Sequence, residues 1–184
     1  ALQVLAAKVL SPFGASNYEW SVIKNTSEQL VFTVVYGTTS TSSITSTETL
    51  DAGEKYRCVV WFDRSNEQLG YEIYHVESAE RNDNTSSFPA ATDRKTSVNA
   101  SIHLLATNNG AAYYEATGYI ANVFYMDSVL TSAERLEYEQ TGVPPKALHY
   151  WPLDEQSGDD GVDYGSATAI TMDVSDLTWK EVTE

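Results

Sequence analysis

Apolar and polar residues alternate along much of this chain, and this alternation predicts β-strands. In the segment 118–126, Phe124 is predicted to point to one face of a strand and its neighbour Val123 to the other. Because apolar side chains occur on both faces, we expect this strand to be covered on both sides, as in the middle of two stacked sheets.

One short helix is predicted at 131–140, directly after this strand. Thr131 and Glu134 have the spacing of a capping box, in which each side chain accepts a hydrogen bond from the other residue's backbone N–H. Gly142 suits the left-handed position that ends a helix. Because an isolated helix of this length is marginal in water, we expect it to pack against a sheet.

This succession of strand, turn and capped helix resembles the closing segment of laminin-G-like domains, which are concanavalin A-like jelly rolls. Three more segments support the resemblance: the alternating run 30–36, a turn and strand at 50–63, and a strand at 71–76. The resemblance implies an all-β fold, a two-sheet antiparallel jelly-roll sandwich with one short helix near 131–140. We expect it to form a single domain over 1–184.

The order of the motifs departs from that family. The run 151–158, Trp-Pro-Leu-Asp-Glu-Gln-Ser-Gly, comes near the end of this chain, whereas a similar run opens the domain in many family members. A circular permutation or a truncated second copy would each explain this order. We favour permutation, because chain ends of compact domains are often neighbours and about 30 residues are too few for a second core.

Composition is consistent with one all-β domain. The 184 residues are 11% aromatic, including 12 Tyr, and aromatic residues favour strands. We interpret the Ser-, Thr- and Asn-rich runs as turns between strands; they are 37–47, 82–87, 92–99 and 107–112. The sequence has no run of 18 apolar residues, which excludes a membrane-spanning helix.

Charge argues against nucleic acid as a partner. The net charge is −15, and the 11 Lys and Arg residues are scattered rather than clustered. The acidic surface favours solubility and keeps copies of the protein apart.

The single cysteine and two of the tryptophans are predicted to be packing residues. Cys58 has no partner for a disulfide within the chain, and we expect it to be a small buried hydrophobe. Trp61 and Trp151 are expected to lie in the core or between the sheets.

Catalysis is not expected, although the concanavalin A-like fold includes glycoside hydrolases. Such enzymes need two carboxylates across the scissile bond, about 5 to 9.5 Å apart. Glu72 is isolated in its strand, and the glutamates of the predicted helix are expected on a solvated face; these are Glu134, Glu137 and Glu139. The histidines lack the spacing of a zinc site, and His75 and His103 are interpreted as ordinary sheet residues.

No cofactor is expected, but one acidic segment has the composition of a calcium loop. Its candidate ligands lie around Gly158 and Gly161; they are Asp154, Glu155, Asp159, Asp160 and Asp163. Their spacing differs from an EF-hand loop, in which acidic groups alternate before a distant Glu. We therefore favour a structural turn over a Ca²⁺ site.

A sugar-binding surface is a further hypothesis. Sugars are recognised by aromatic faces beside amide and carboxylate groups, because a sugar ring is apolar on its faces and polar at its edge. One predicted loop offers this mixture in Asn108, Asn109, Tyr113 and Tyr114, and the loop 82–97 is expected to face it with Asn84 and Arg94. The competing interpretation is that Asn109-Gly110 forms a tight turn and the tyrosines cap the core; we favour it.

These observations favour a non-catalytic, surface-exposed module. The first residues do not form a signal peptide, and Ala1 fits either loss of an initiator methionine or proteolytic processing. If the chain is whole, a fold of extracellular type is made without an export signal, which suggests a virion structural protein, such as a capsid decoration or tail-associated component. Its partners would be other structural proteins or copies of itself. The alternative is a carbohydrate-binding or adhesion module of a secreted or cell-surface protein that contacts surface glycans. A hydrolase with an unrecognised carboxylate pair is the third hypothesis.

Overall fold

The computed structural model describes residues 2–9, 18–36, 40–89, 101–104, 120–153, 160–167 and 172–173. Within these ranges the chain is mostly antiparallel β-sheet with one short helix, as the alternating pattern predicted. The chain divides into two compact units, 1–118 and 119–184. The single domain over 1–184 stays a prediction.

The described residues of the first unit form eight strands in two sheets. They are β1 (Gln3–Val9), β2 (Tyr18–Lys24), β3 (Gln29–Tyr36), β4 (Ser40–Thr49), β5 (Tyr56–Asp63), β6 (Gln68–His75), β7 (Glu80–Ser87) and β8 (Ser101–Leu104). The larger sheet has the order β4-β3-β2-β1-β8, and the smaller has the order β5-β6-β7. All of their pairings are antiparallel. The strands expected at 30–36, 56–63 and 71–76 are therefore present as β3, β5 and β6.

Two strands were wrongly predicted as turns. The Ser- and Thr-rich residues of β4 lie within the run 37–47 and beyond it, and β7 covers the run 82–87. In β4 the alternate residues Ile44 and Ser46 are buried, so this strand has an inner face despite its polar composition. The strand β7 pairs with β6 along its whole length. Backbone pairing with a buried neighbour therefore outweighed the turn propensity of the side chains. The runs 92–99 and 107–112 lie outside the described residues.

Buried side chains from both sheets form one hydrophobic cluster in the first unit. Its members are Val22, Leu30, Phe32, Val34, Ile44, Leu50, Leu69, Tyr71, Ile73 and Phe88. Half-buried residues of β5, including Cys58, pack against this cluster. Trp61 lies directly over Gly70, which faces it across the β5–β6 pair. Burial raises the pKa of the Cys58 thiol to about 12, which makes the thiolate rare at neutral pH.

The described residues of the second unit form the helix and four short strands. They are β9 (Val123–Tyr125), α1 (Ser132–Thr141), β10 (His149–Trp151), β11 (Asp160–Gly161) and β12 (Met172–Asp173). The strand β9 pairs with β10, and β11 pairs with β12, both antiparallel. Trp151 is buried, and Phe124 meets Tyr138 of α1 in an edge-to-face ring contact with centroids 5.1 Å apart. The helix thus packs against β9, as its short length required.

Residues 120–126 are the described part of the strand predicted across 118–126, and among them only Val123–Tyr125 are strand; these three residues are half-buried. Asn122 has a φ of 53°, its N–H donates to the carbonyl of Pro152, and its side chain accepts a hydrogen bond from the Tyr150 hydroxyl. This left-handed residue ends the alternation, because asparagine tolerates the conformation when its side chain has a local partner.

The helix ends confirm the local sequence signals. The Thr131 hydroxyl accepts from the N–H of Glu134, and the Glu134 carboxylate accepts from the N–H of Thr131 at 2.9 Å, which completes the capping box. Gly142 has a φ of 73°, and its N–H donates to the carbonyl of Tyr138. Lys146 lies 2.7 Å from the Glu134 carboxylate, and hydrogen bonds from Lys146 and Thr131 lower the pKa of Glu134 to about 2.

One expectation about α1 was wrong. Glu139 is buried, with 3% of its surface exposed, although the helix glutamates were expected on a solvated face. Glu137 is exposed and Glu134 is half-buried. The helix buries the side that carries Tyr138, and Glu139 follows Tyr138 onto this side. No helix in the described part of the chain is both long and apolar enough to cross a membrane.

Candidate functional site

Most of the predicted sugar-binding residues lie outside the described residues. These are Arg94, Asn108, Asn109, Tyr113 and Tyr114. Asn84 is described, and it lies in β7 rather than in a loop. Its side chain is exposed, and its Oδ1 accepts from the N–H of Thr85 at 2.8 Å. The sugar-binding surface therefore stays a prediction.

Of the five predicted calcium ligands, only Asp163 has a described side chain. Asp154, Glu155 and Asp159 lie outside the described residues, and Asp160 is placed by its backbone, which pairs with Asp173 in the β11–β12 ladder. The Ca²⁺ site and the preferred structural turn at this segment both stay predictions.

Among the described residues, three groups donate hydrogen bonds to the Asp163 carboxylate. It accepts from the N–H of Tyr150 at 3.0 Å and from the N–H of Gly165 at 2.8 Å, and it lies 2.7 Å from Nδ1 of His149. Only 1% of the Asp163 side chain is exposed. Hydrogen bonds to a buried carboxylate compensate for its lost hydration, so Asp163 fastens its segment to β10.

The backbone continues this attachment between 163–167 and 147–150. Tyr164 N–H donates to the carbonyl of Tyr150 at 2.8 Å, and Ser166 N–H donates to the carbonyl of Ala147 at 3.0 Å. Between them Gly165 lies so close to β10 that a Cβ atom would sit 2.0 Å from the Leu148 carbonyl oxygen. The pairing needs a residue without a side chain at this position.

The His149–Asp163 pair has the arrangement of a catalytic acid and base, but its surroundings indicate a structural role. The His149 ring stacks on Trp151 with centroids 5.6 Å apart and an interplanar angle of 15°. In the described part of the chain, no hydroxyl or thiol hydrogen-bonds to His149 that would act as the nucleophile of such an arrangement. The contact with Asp163 orients the His149 ring against Trp151 and joins residue 163 to β10.

A second cluster, which sequence interpretation missed, brings together Glu54, His75 and Glu77. We call it the Glu-His-Glu cluster. His75 ends β6, and its Nε2 lies 3.0 Å from Glu54 Oε2 and 3.7 Å from Glu77 Oε2. The three ligand atoms all lie within 4.8 Å of one another. His75 was interpreted as an ordinary sheet residue, and it does lie in a strand, but at its end and between two carboxylates.

A hairpin brings this cluster together. The strands β5 and β6 pair over their whole length, with Tyr56 opposite His75, so residues just before β5 meet residues just after β6. The turn at 64–67 that joins the strands fixes this register. Both strands were predicted from the sequence. Predicting that Glu54, His75 and Glu77 meet would also have required the register in which the strands pair.

Exposed apolar side chains are concentrated in the second unit. Among the described residues, the large hydrophobic side chains with more than a third of their surface exposed are Leu2 (37%), Leu136 (44%), Val143 (53%), Val162 (48%) and Tyr164 (64%). All but Leu2 belong to the second unit. Val162 and Tyr164 flank Asp163, and the backbone of this segment is hydrogen-bonded to residues 147–150, which fixes its position.

Comparisons with known proteins identify no relative. No family model matches the chain, and no curated protein matches it.

Proposed function

We propose that this protein is a non-catalytic, surface-exposed module that acts through protein–protein contacts, as a virion structural component of the capsid-decoration or tail-associated type. The observation that carries this proposal is the set of exposed apolar side chains in the second unit. Contact surfaces of this kind bind either other structural proteins or further copies of the chain.

Two exposed apolar side chains lie close together in the chain: Tyr164 keeps 64% of its surface exposed and Val162, two residues away, keeps 48%. A partner that covers them removes apolar surface from water, which favours association. Tyrosine is also enriched in interfaces, because its ring packs while its hydroxyl forms a hydrogen bond.

The fold component of the proposal is a two-sheet antiparallel jelly-roll sandwich of the laminin-G-like, concanavalin A-like type. Its support is the single hydrophobic cluster to which both sheets of the first unit contribute. The return of β8 to pair with β1, after the chain has formed the smaller sheet, is consistent with the long connections of such folds.

The virion component of the proposal has weaker and more general support. A net charge of −15 opposes unspecific association between copies, which suits a protein that assembles only through a defined contact. In a symmetric particle each copy makes the same contact, so a small apolar surface is used many times.

The test compares surface variants for binding to particles. Tyr164→Ser and Val162→Ser remove exposed apolar surface from the second unit, and Leu2→Ser is the matched control in the first unit. Particles from the culture that produces the protein are sedimented with each variant added. We expect the two test variants to co-sediment less than the unaltered protein and the control. Equal sedimentation of all four, or no sedimentation of the unaltered protein, would overturn the proposal.

Carbohydrate binding is the alternative proposal, and the exposed phenol ring of Tyr164 is the observation that favours it. An exposed aromatic face is the usual platform for a sugar ring. A glycan array tests this alternative with the unaltered protein and the variants Tyr113→Ala, Tyr114→Ala and Tyr164→Ala. Binding that these variants abolish would support a glycan-binding module, and the absence of binding to any glycan would eliminate it.

A further inference from the structure

We propose that the Glu-His-Glu cluster of the first unit is a binding site for a divalent transition-metal ion of the zinc type. The ligand atoms are Glu54 Oε2, His75 Nε2 and Glu77 Oε2. This inference is independent of the proposed contact function, which rests on the second unit.

The distances between the three ligand atoms are close to those of a metal site. Four ligands about 2.0–2.1 Å from a tetrahedral Zn²⁺ lie about 3.4 Å from one another. Here Nε2 of His75 lies 3.0 Å from Glu54 Oε2 and 3.7 Å from Glu77 Oε2, and no pair of ligand atoms is more than 4.8 Å apart. Both glutamates are exposed, so small rotations of their side chains adjust the remaining difference.

The histidine is held by rigid structure. It lies at the end of β6 opposite Tyr56, and the next residue continues the pairing through a hydrogen bond of 2.9 Å from Val76 N–H to the carbonyl of Lys55. The Tyr56 ring lies beside the His75 ring with centroids 5.0 Å apart. A ligand that is already oriented loses little entropy when a metal binds.

The Ser78 hydroxyl contacts His75 and the Lys55 backbone contacts Glu77, and these contacts orient the two side chains. Ser78 Oγ lies 2.5 Å from His75 Nδ1, and the N–H of Lys55 donates to Glu77 Oε2 at 3.3 Å. Metal-binding histidines usually donate their second ring N–H to an oxygen atom, which fixes the tautomer. Ser78 Oγ is placed to accept this hydrogen bond.

The ring nitrogens also predict a change of tautomer on metal binding. The N–H of Ser78 lies 3.2 Å from Nδ1, and Nε2 lies 3.0 Å from Glu54 Oε2; a neutral His75 ring with its proton on Nε2 satisfies both of these contacts. A metal at Nε2 takes the place of this proton. The neutral ring then carries its proton on Nδ1 and donates it to Ser78 Oγ.

The ligand set selects the class of metal. Imidazole nitrogen suits Zn²⁺ and its neighbours in the transition series, whereas Ca²⁺ and Mg²⁺ prefer six or more oxygen ligands. Two carboxylates neutralise the charge of a divalent ion, and the net charge of −15 attracts cations to the protein. Since the glutamates are exposed, water can occupy the fourth position.

Calorimetric titration of the metal-free full chain with zinc chloride tests the site. We expect one saturable site. His75→Ala and Glu54→Gln should each lower the zinc affinity by at least about tenfold, because even residues that only hydrogen-bond to metal ligands contribute that much. Glu137→Gln is the matched control: it removes one exposed carboxylate from α1, and it should leave zinc affinity unchanged. Circular dichroism of each variant confirms that the sheets are intact.

A second measurement separates a metal site from general attraction to acidic groups. In ¹⁵N NMR spectra of the histidine rings, zinc should shift the Nε2 resonance of His75 and move its proton to Nδ1. Unchanged His75 resonances would overturn the proposal. Wild-type zinc affinity in His75→Ala would also overturn it, because it would show that the imidazole is not a ligand.

Discussion

The Tyr71 hydroxyl connects the edges of the two sheets in the first unit, and Tyr71→Phe tests this connection. Tyr71 is fully buried in β6 and belongs to the hydrophobic cluster. Its hydroxyl donates to Asn82 Oδ1 in β7 at 2.9 Å and accepts from the N–H of Thr47 in β4 at 3.3 Å. The Asn82 amide also donates to the Thr47 hydroxyl at 2.8 Å, which closes a small network between β4 and β7.

The magnitude follows from the two hydrogen bonds. A buried hydrogen bond contributes about 1 kcal/mol net. The bond to Thr47 is long, and both partners reach solvent in part, so water replaces some of the loss. We expect Tyr71→Phe to lower the free energy of unfolding by about 1.5 kcal/mol, with no cavity because the ring stays. This corresponds to a fall in Tm of roughly 3–6 °C for a chain of this size.

Thermal unfolding followed by circular dichroism measures the change. Tyr74→Phe is the matched control, since Tyr74 lies in the same strand and its hydroxyl makes no hydrogen bond with any residue that the structure describes. A double-mutant cycle with Asn82→Ala should give a coupling energy of about 1 kcal/mol. If Tyr71→Phe and Tyr74→Phe unfold at the same temperature, the hydroxyl does not connect the sheets.

Three other predictions test the second unit and the cysteine. Gly165→Ala should destabilise the segment 163–167, because its Cβ would lie 2.0 Å from the Leu148 carbonyl oxygen; native-state hydrogen exchange at the Ser166 amide should be faster, and unchanged protection would contradict the close approach. Glu134 has a pKa lowered from 4.5 to about 2, so its contribution to stability is complete above pH 4.5 and is lost as the pH falls through 2; Glu134→Gln should remove this part of the acid dependence from urea unfolding curves. Cys58 is half-buried and its pKa is raised to about 12, so the folded protein should react with a thiol reagent at pH 8 far more slowly than the unfolded protein, and equal rates would contradict the raised pKa.

Features that depend on a few neighbouring residues were predictable. The capping box at Thr131 and the left-handed Gly142 were predicted from spacing and are present, because both hydrogen-bond to backbone groups within one helical turn. The strand β3 was predicted from apolar alternation, and β5 was predicted from the family resemblance of residues 50–63. Alternation failed for β4 and β7, whose polar residues resemble turns.

Features that depend on distant residues were not predictable. Glu54 and His75 are 21 residues apart, and only the register of β5 with β6 brings them within 3.0 Å. Asp163 contacts His149 and the Tyr150 N–H of β10, which lie 14 and 13 residues before it in the chain, and these contacts were not predicted from the sequence. Glu139 was expected in solvent and is buried, because the packing of Tyr138 decides which side of the helix faces inward.

The sequence by itself determined the mostly-β character of the described residues and the short helix with its ends, since alternation and capping act over a few residues. The tertiary structure decided which polar strands join the sheets, where the left-handed Asn122 ends a strand, and which carboxylates meet a histidine. These outcomes depend on strand register and on the burial of one element by another, and neither is determined by residues that are adjacent in the chain.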